Sequence, residues 1–134
     1  PNFASATQEV LEAQSVQAVD GKVQFDVELA LPAGWKMNDL APLRFWVEAT
    51  GERGPLDRPT LGGRRVEKPS GAFTFTVPAQ GAGTDEVLVS LQYFYCQDGG
   101  EGLCKIGSVV WKVPVQLAPD APAKSVVLKH SVQE

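Results

Sequence analysis

Residues 87–113 read VLVSLQYFYCQDGGEGLCKIGSVVWKV, and the fold turns on them. Val87, Val89, Leu91, Tyr93 and Tyr95 alternate with other residues, and Val109, Trp111 and Val113 take up the same alternation further on. A period of two belongs to strands with one buried face. A glycine-rich segment separates the two runs, bounded by Cys96 and Cys104. If these cysteines face each other across an antiparallel hairpin, Leu91 lies opposite Val109, Val89 opposite Trp111 and Val87 opposite Val113. Each of those pairs is apolar. Gln92 against Ser108 and Phe94 against Ile106 then occupy the other face. A slip of one residue would set apolar positions against the polar face, so the register is well specified. Directly opposed strand residues have Cα atoms about 4.5–5.5 Å apart, within the range of a disulfide.

The same alternation recurs outward from this hairpin. Val23, Phe25, Val27, Leu29 and Leu31 form one strand, Leu43, Phe45, Val47 and Ala49 another. Phe73, Phe75 and Val77 give a short strand that stops at Pro78, and Val115 and Leu117 prolong the run through Trp111. Val10 to Val19 reads as a strand leading into the next across Asp20-Gly21, a favoured hairpin turn. Residues 50–70, rich in Gly, Pro and Arg, hold at most a short edge strand near Leu61. Strands at this spacing, with no helix required, predict an all-β fold, an immunoglobulin-like antiparallel β-sandwich of about 7–9 strands. The expected organisation is an N-terminal extension over 1–9 and the sandwich over 10–118. Residues 119–134 read as a linker, with Val126 to Leu128 as an extra edge strand or a segment outside the domain.

With 134 residues, 43% hydrophobic and 21% charged, the chain is long enough for one apolar core. A net charge of −4 argues against nucleic acid, which demands clustered Lys and Arg. The one basic cluster, Arg64-Arg65 with Arg58 and Lys68 nearby, is interleaved with Asp57 and Glu67 and reads as a solvated loop. No apolar run nears the roughly 20 residues a membrane helix needs, so no membrane insertion is expected. Pro1 is not a natural initiator, which suggests a processed chain or a domain of something longer, and leaves the compartment open.

Candidate chemistry is sparse. His130, the one histidine, stands in what reads as a polar tail without a partner for general-base work. Two cysteines without paired histidines fall short of a zinc site, and no other metal or cofactor is expected. The glycines at 99, 100 and 102 precede a strand rather than a helix, unlike a phosphate-binding loop. Cys96 and Cys104 remain, as a structural disulfide, an exchanging redox pair or two free thiols. Asp98 and Glu101 would disfavour a thiolate there and Lys105 would favour it. These charges suit a disulfide opened by a partner's thiolate better than an attacking enzyme.

The stretch Leu31 to Phe45, LPAGWKMNDLAPLRF, resembles the opening of the C-terminal β-domain of thioredoxin-like proteins that carry NHL repeats. The tyrosine-rich strand ending in Cys96, the short loop and Cys104 resemble the same family. The hairpin is also similar to the N-terminal immunoglobulin-like domain of DsbD, with a longer loop and Lys105-Ile106-Gly107 after the second cysteine. These resemblances imply a β-sandwich accessory to thioredoxin-like or other parent-protein domains, with Cys96 and Cys104 as the exchanging pair. They do not imply a self-sufficient enzyme. The rival is a structural or interaction module whose cysteines staple or stay inert; three tryptophans suggest a carbohydrate-binding sandwich as a third reading. Trp35 reads as covering one end of the sandwich and Asn38 as bonding its own loop. Alternatively Trp35, Trp46 and Arg44 form a binding surface, since Arg44 and Trp46 share the strand face opposite Phe45 and Val47.

Overall fold

The computed structural model describes residues 6–99 and 102–133. Residues 1–5 of the expected extension lie outside the described residues, as do Gly100 and Glu101 of the cysteine loop. Strands form where the sequence alternates: β3 (Lys22–Ala30), β5 (Leu43–Ala49), β7 (Ala72–Pro78), β8 (Gly83–Gln97) and β9 (Cys104–Leu117). Five shorter ones accompany them: β1 (Thr7–Val10), β2 (Gln14–Val16), β4 (Trp35–Met37), β6 (Gly62–Val66) and β10 (Ser125–Ser131). The larger sheet runs β1-β9-β8-β5-β6, with β2 also on β9 and β4 also on β8; the smaller runs β10-β3-β7. The fold is thus all-β, a sandwich of ten strands among the described residues, against the seven to nine expected.

The hairpin register is the one the cysteines imply. β8 and β9 pair through fourteen residue pairs, from Gly83 with Leu117 to Cys96 with Cys104, including Val89 with Trp111. Their odd-numbered side chains meet the inner face of the small sheet. Phe75 of β7 stacks on Phe25 of β3 at 4.8 Å and touches Phe45 of β5 at 4.8 Å, joining the two sheets. Phe25, Val27, Phe45, Val47, Phe75, Val89, Leu91, Trp111 and Val113 are all buried, as the alternation requires, with Phe75 the most exposed at 7%. Burying each such side chain stabilises the fold by about 1.5–3 kcal/mol.

Both sheets are mixed, where antiparallel pairing was expected. β1 and β2 lie parallel to β9, and β10 lies parallel to β3. Alternation shows which face a strand buries, not which neighbour it joins or in which direction. Asp20 and Gly21 do form the expected turn, with φ of 54° and 74°. The turn, however, closes only the single bridge Val19–Lys22. β2 before it belongs to the large sheet and β3 after it to the small one, so the turn is a corner between sheets. Pro114 of β9 falls where β1 has ended and β2 has yet to begin, a position that suits a residue without a backbone N–H. Thr7 to Glu9, read as extension, belong to strand β1 (Thr7–Val10), and Ser125–Ser131 is an edge strand with Val126 and Leu128 fully buried.

The basic cluster departs from its reading as a solvated loop at Arg58. Its guanidinium donates to both carboxylate oxygens of Asp85, at 3.0 and 2.8 Å. Asp85 is only 5% exposed and also accepts the backbone N–H of Leu56 at 2.9 Å. Arg58 donates further to the carbonyls of Leu56 and Gly51. Gly54 is a required glycine, because a Cβ there would collide with the Asp85 carboxylate. A buried carboxylate needs such partners, which is why the loop folds down onto β8.

Candidate functional site

The long hairpin ends at a disulfide between Cys96 and Cys104, whose Cα atoms are 4.0 Å apart. No described cysteine is free. Even-numbered residues of β8 face away from the core, so the bond sits on the outer face of the large sheet, with Cys96 half-buried and Cys104 exposed. Lys36 of β4, exposed, pairs directly with Cys96 on the other side. Beside the bond, on the same face, Phe94 pairs with Ile106, and Ile106 is 64% exposed.

The loop between the cysteines is held by backbone rather than by the bond alone. Gln97 N–H donates to the Leu103 carbonyl at 2.8 Å, and Leu103 N–H donates to the Gln97 side chain at 3.2 Å. Asp98 N–H donates to the Gly34 carbonyl at 2.7 Å, fastening the loop to the turn before β4. Gly102 lies so close to Gln97 that a Cβ would come within 2.6 Å of its side chain and 2.7 Å of its carbonyl oxygen. On the inner side, Trp35 packs against Tyr95 at 5.1 Å, and the Lys105 ammonium lies 5.0 Å from the Trp35 ring centre. Lys105, expected to act on the thiols, therefore leans over an indole, and Lys36 is the cation paired with Cys96.

The three proposed binding residues do not form one surface. Trp35 is 8% exposed and closes the end of the core, as its structural reading had it. Asn38 accepts Leu40 N–H at 3.1 Å, holding its own loop. Trp46 and Arg44 do share the outer face, with Arg44 exposed and Trp46 half-buried. The indole of Trp46 covers Gly63, its partner on β6, where a Cβ would approach Nε1 to 2.8 Å. Arg44 pairs across the ladder with Arg65.

His130 corrects the reading of a polar tail. It is 7% exposed, on the inner face of β10, with Nδ1 2.7 Å from a carboxylate oxygen of Glu9 on β1. Its ring packs edge-on against Trp111, centroids 6.5 Å apart. With Glu9 ionised, Nδ1–H donates to the carboxylate. The pair lies on a cleft of about 850 Å³ at the open edge of the sandwich, which Tyr93 and Tyr95 also line. Burial, and secondarily the neighbouring Tyr95, push the Tyr93 phenol up to about 12. No serine or threonine hydroxyl is hydrogen-bonded to His130 among the described residues, so a nucleophile–base arrangement is not assembled there. A signal for His130 was present, since Val126, Leu128, His130 and Val132 alternate as a strand does. Among the described residues no three His, Cys, Asp or Glu side chains gather as metal ligands would.

No family model matches this chain, and no curated protein matches it.

Proposed function

We propose that this chain is an accessory β-sandwich domain of a multidomain thioredoxin-like protein, of the kind that carries NHL repeats, and that it exchanges its Cys96–Cys104 disulfide with a partner dithiol. The supporting observation is the bond's position. It lies on an outer face with Cys104 exposed, at the end of a hairpin that thirteen further residue pairs hold without it. Opening such a bond leaves the core untouched. A thiolate of the partner attacks one sulfur, forming a mixed disulfide, and the other cysteine leaves as a thiolate that takes up a proton. The partner's second thiol then attacks the mixed disulfide. Cys96 and Cys104 end as two thiols and the partner as a disulfide, with two electrons transferred.

Direct cross-strand opposition of the two cysteines favours a second reading, a plain staple. The reduction potential decides between them, measured against a defined dithiol buffer with circular dichroism in parallel. Exchange requires a potential close to that of thioredoxin, about −270 mV, and a sandwich that stays folded when reduced. A potential below about −300 mV, or unfolding on reduction, identifies the staple.

A further inference from the structure

The strand register lays out the outer face of the large sheet in rows, and charge is polarised along them. At the end remote from the disulfide stand Glu48 and Glu86, with Lys112 3.7 Å from Glu86. Toward the disulfide the charges reverse: Arg44 and Arg65 form one row, and Lys36 stands in the row of the bond itself. Asp98, exposed in the cysteine loop, and Glu67, exposed beside Arg65, are acidic groups at this end. Arg44 directly opposite Arg65 is a like-charged cross-strand pair, which destabilises a sheet. Among the described residues, Arg65 is relieved by an exposed bridge to Glu67 at 3.1 Å. Two arginines facing each other on a chain of net charge −4 bring nothing to this core.

Between the arginine row and the bond the face turns apolar. Phe94 and Ile106 fill the intervening row, and Ile106 is 64% exposed. Gln92, in the arginine row, is four residues from Cys96, which is roughly 13 Å along a strand. The arginines are thus too far to act on the sulfurs and close enough to touch a domain that reaches them.

We infer that this end of the outer face is the docking surface for the domain bearing the partner dithiol, an inference that rests on the exchange reading. The partner's surface is apolar where it meets Phe94 and Ile106, and acidic where it meets Arg44, Arg65 and Lys36. Attraction between the opposite charges accelerates encounter, and the apolar patch sets the sulfurs in contact once docked.

The test compares two reductants of the full 134-residue chain: a reduced thioredoxin of net negative charge, and dithiothreitol. Arg44→Glu replaces the repulsion with Arg65 by an attraction, so the variant folds at least as well as the parent. It should slow reduction by thioredoxin about tenfold at low ionic strength, with the difference closing near about 0.5 M salt. Reduction by dithiothreitol should stay within about twofold, since a small reagent needs no docking surface. Glu48→Lys, at the remote end, should leave both rates unchanged. Equal thioredoxin rates for Arg44→Glu and the parent would overturn the docking surface while leaving exchange intact. So would equal slowing with both reductants, which would locate the effect in the bond. A parent chain reduced by dithiothreitol but not by thioredoxin would instead remove the exchange reading, and docking with it.

Discussion

The long hairpin of β8 and β9 is cross-linked near both ends, by opposite means. At one end a covalent bond joins Cys96 to Cys104 on the outer face, where Cys104 is exposed. Near the other, Asp85, 5% exposed, holds Arg58 and the backbone of Leu56 on the core side. The covalent link joins residues that the ladder already sets opposite each other. The ionic link secures a loop, residues 51–60, to a carboxylate that would otherwise be buried without a cation. Covalent strength is therefore a poor guide to which cross-link the fold depends on.

The largest expected effect tests the ionic end. Arg58→Ala leaves the Asp85 carboxylate, 5% exposed, without its cation. Loss of one member of a buried pair costs about 3–5 kcal/mol. A shift of the urea midpoint measures it, and a midpoint near the parent's would show that the loop does not need the clamp. Midway along the hairpin, Leu91→Ala should cost about 2–5 kcal/mol through lost burial and a residual cavity. Leu91 is fully buried and pairs with Phe45 on one side and Val109 on the other. A midpoint unchanged by Leu91→Ala would mean that the hairpin's middle is not the core of the sandwich.

At the disulfide end the loss should be smaller. Replacing both cysteines by serine frees a loop of seven residues in the unfolded chain, about 2.5 kcal/mol in the chain-entropy treatment. The double variant should keep the parent's circular dichroism spectrum. If it unfolds, the bond is the sandwich's support and the comparison between the two ends reverses.

The two ends also differ in how far the sequence revealed them. The disulfide end was legible because two independent constraints, the spacing of the cysteines and the alternation of Val87 to Val113, demand one register, and fourteen pairs follow it. The clamp was not legible, although its signal was there. Asp85 continues the inward-facing series of Val87 and Val89, and a carboxylate at a core position requires a cation. Arg58 could not be singled out from Arg64 and Arg65 by composition, because the loop that carries it has no period. The same limit hid the Glu9–His130 contact. Alternation in β10 predicts an inward His130, but parallel pairing of β1 with β9 and of β10 with β3 is long-range, and strand patterns carry no information about neighbours. Of the binding residues, burial of Trp35 followed from its place after the strand end at Pro32-Ala33-Gly34, whereas Trp46 covering Gly63 depended on the register of an edge strand with little pattern of its own.

The smallest expected effect sharpens the contrast within the disulfide end itself. Its outer face is open, yet Tyr93 on the inner face is 2% exposed, with its phenol pushed up to about 12, chiefly by burial. A phenol titrates near 10 in the unfolded chain, so the folded chain holds this proton more tightly. The corresponding stability is fully present below pH about 10 and is lost as pH rises toward 12, amounting to about 2 kcal/mol at that point. Other tyrosines and lysines titrate over the same range, so the parent alone would not isolate the effect. Tyr93→Phe removes the proton and keeps the ring over Gly107, where a Cβ would collide with it. The difference in urea midpoint between parent and Tyr93→Phe should therefore be flat up to pH about 10 and then move in favour of the variant. A difference independent of pH would mean that the phenol titrates as it does in water, and that the inner face at this end is as open as the outer one.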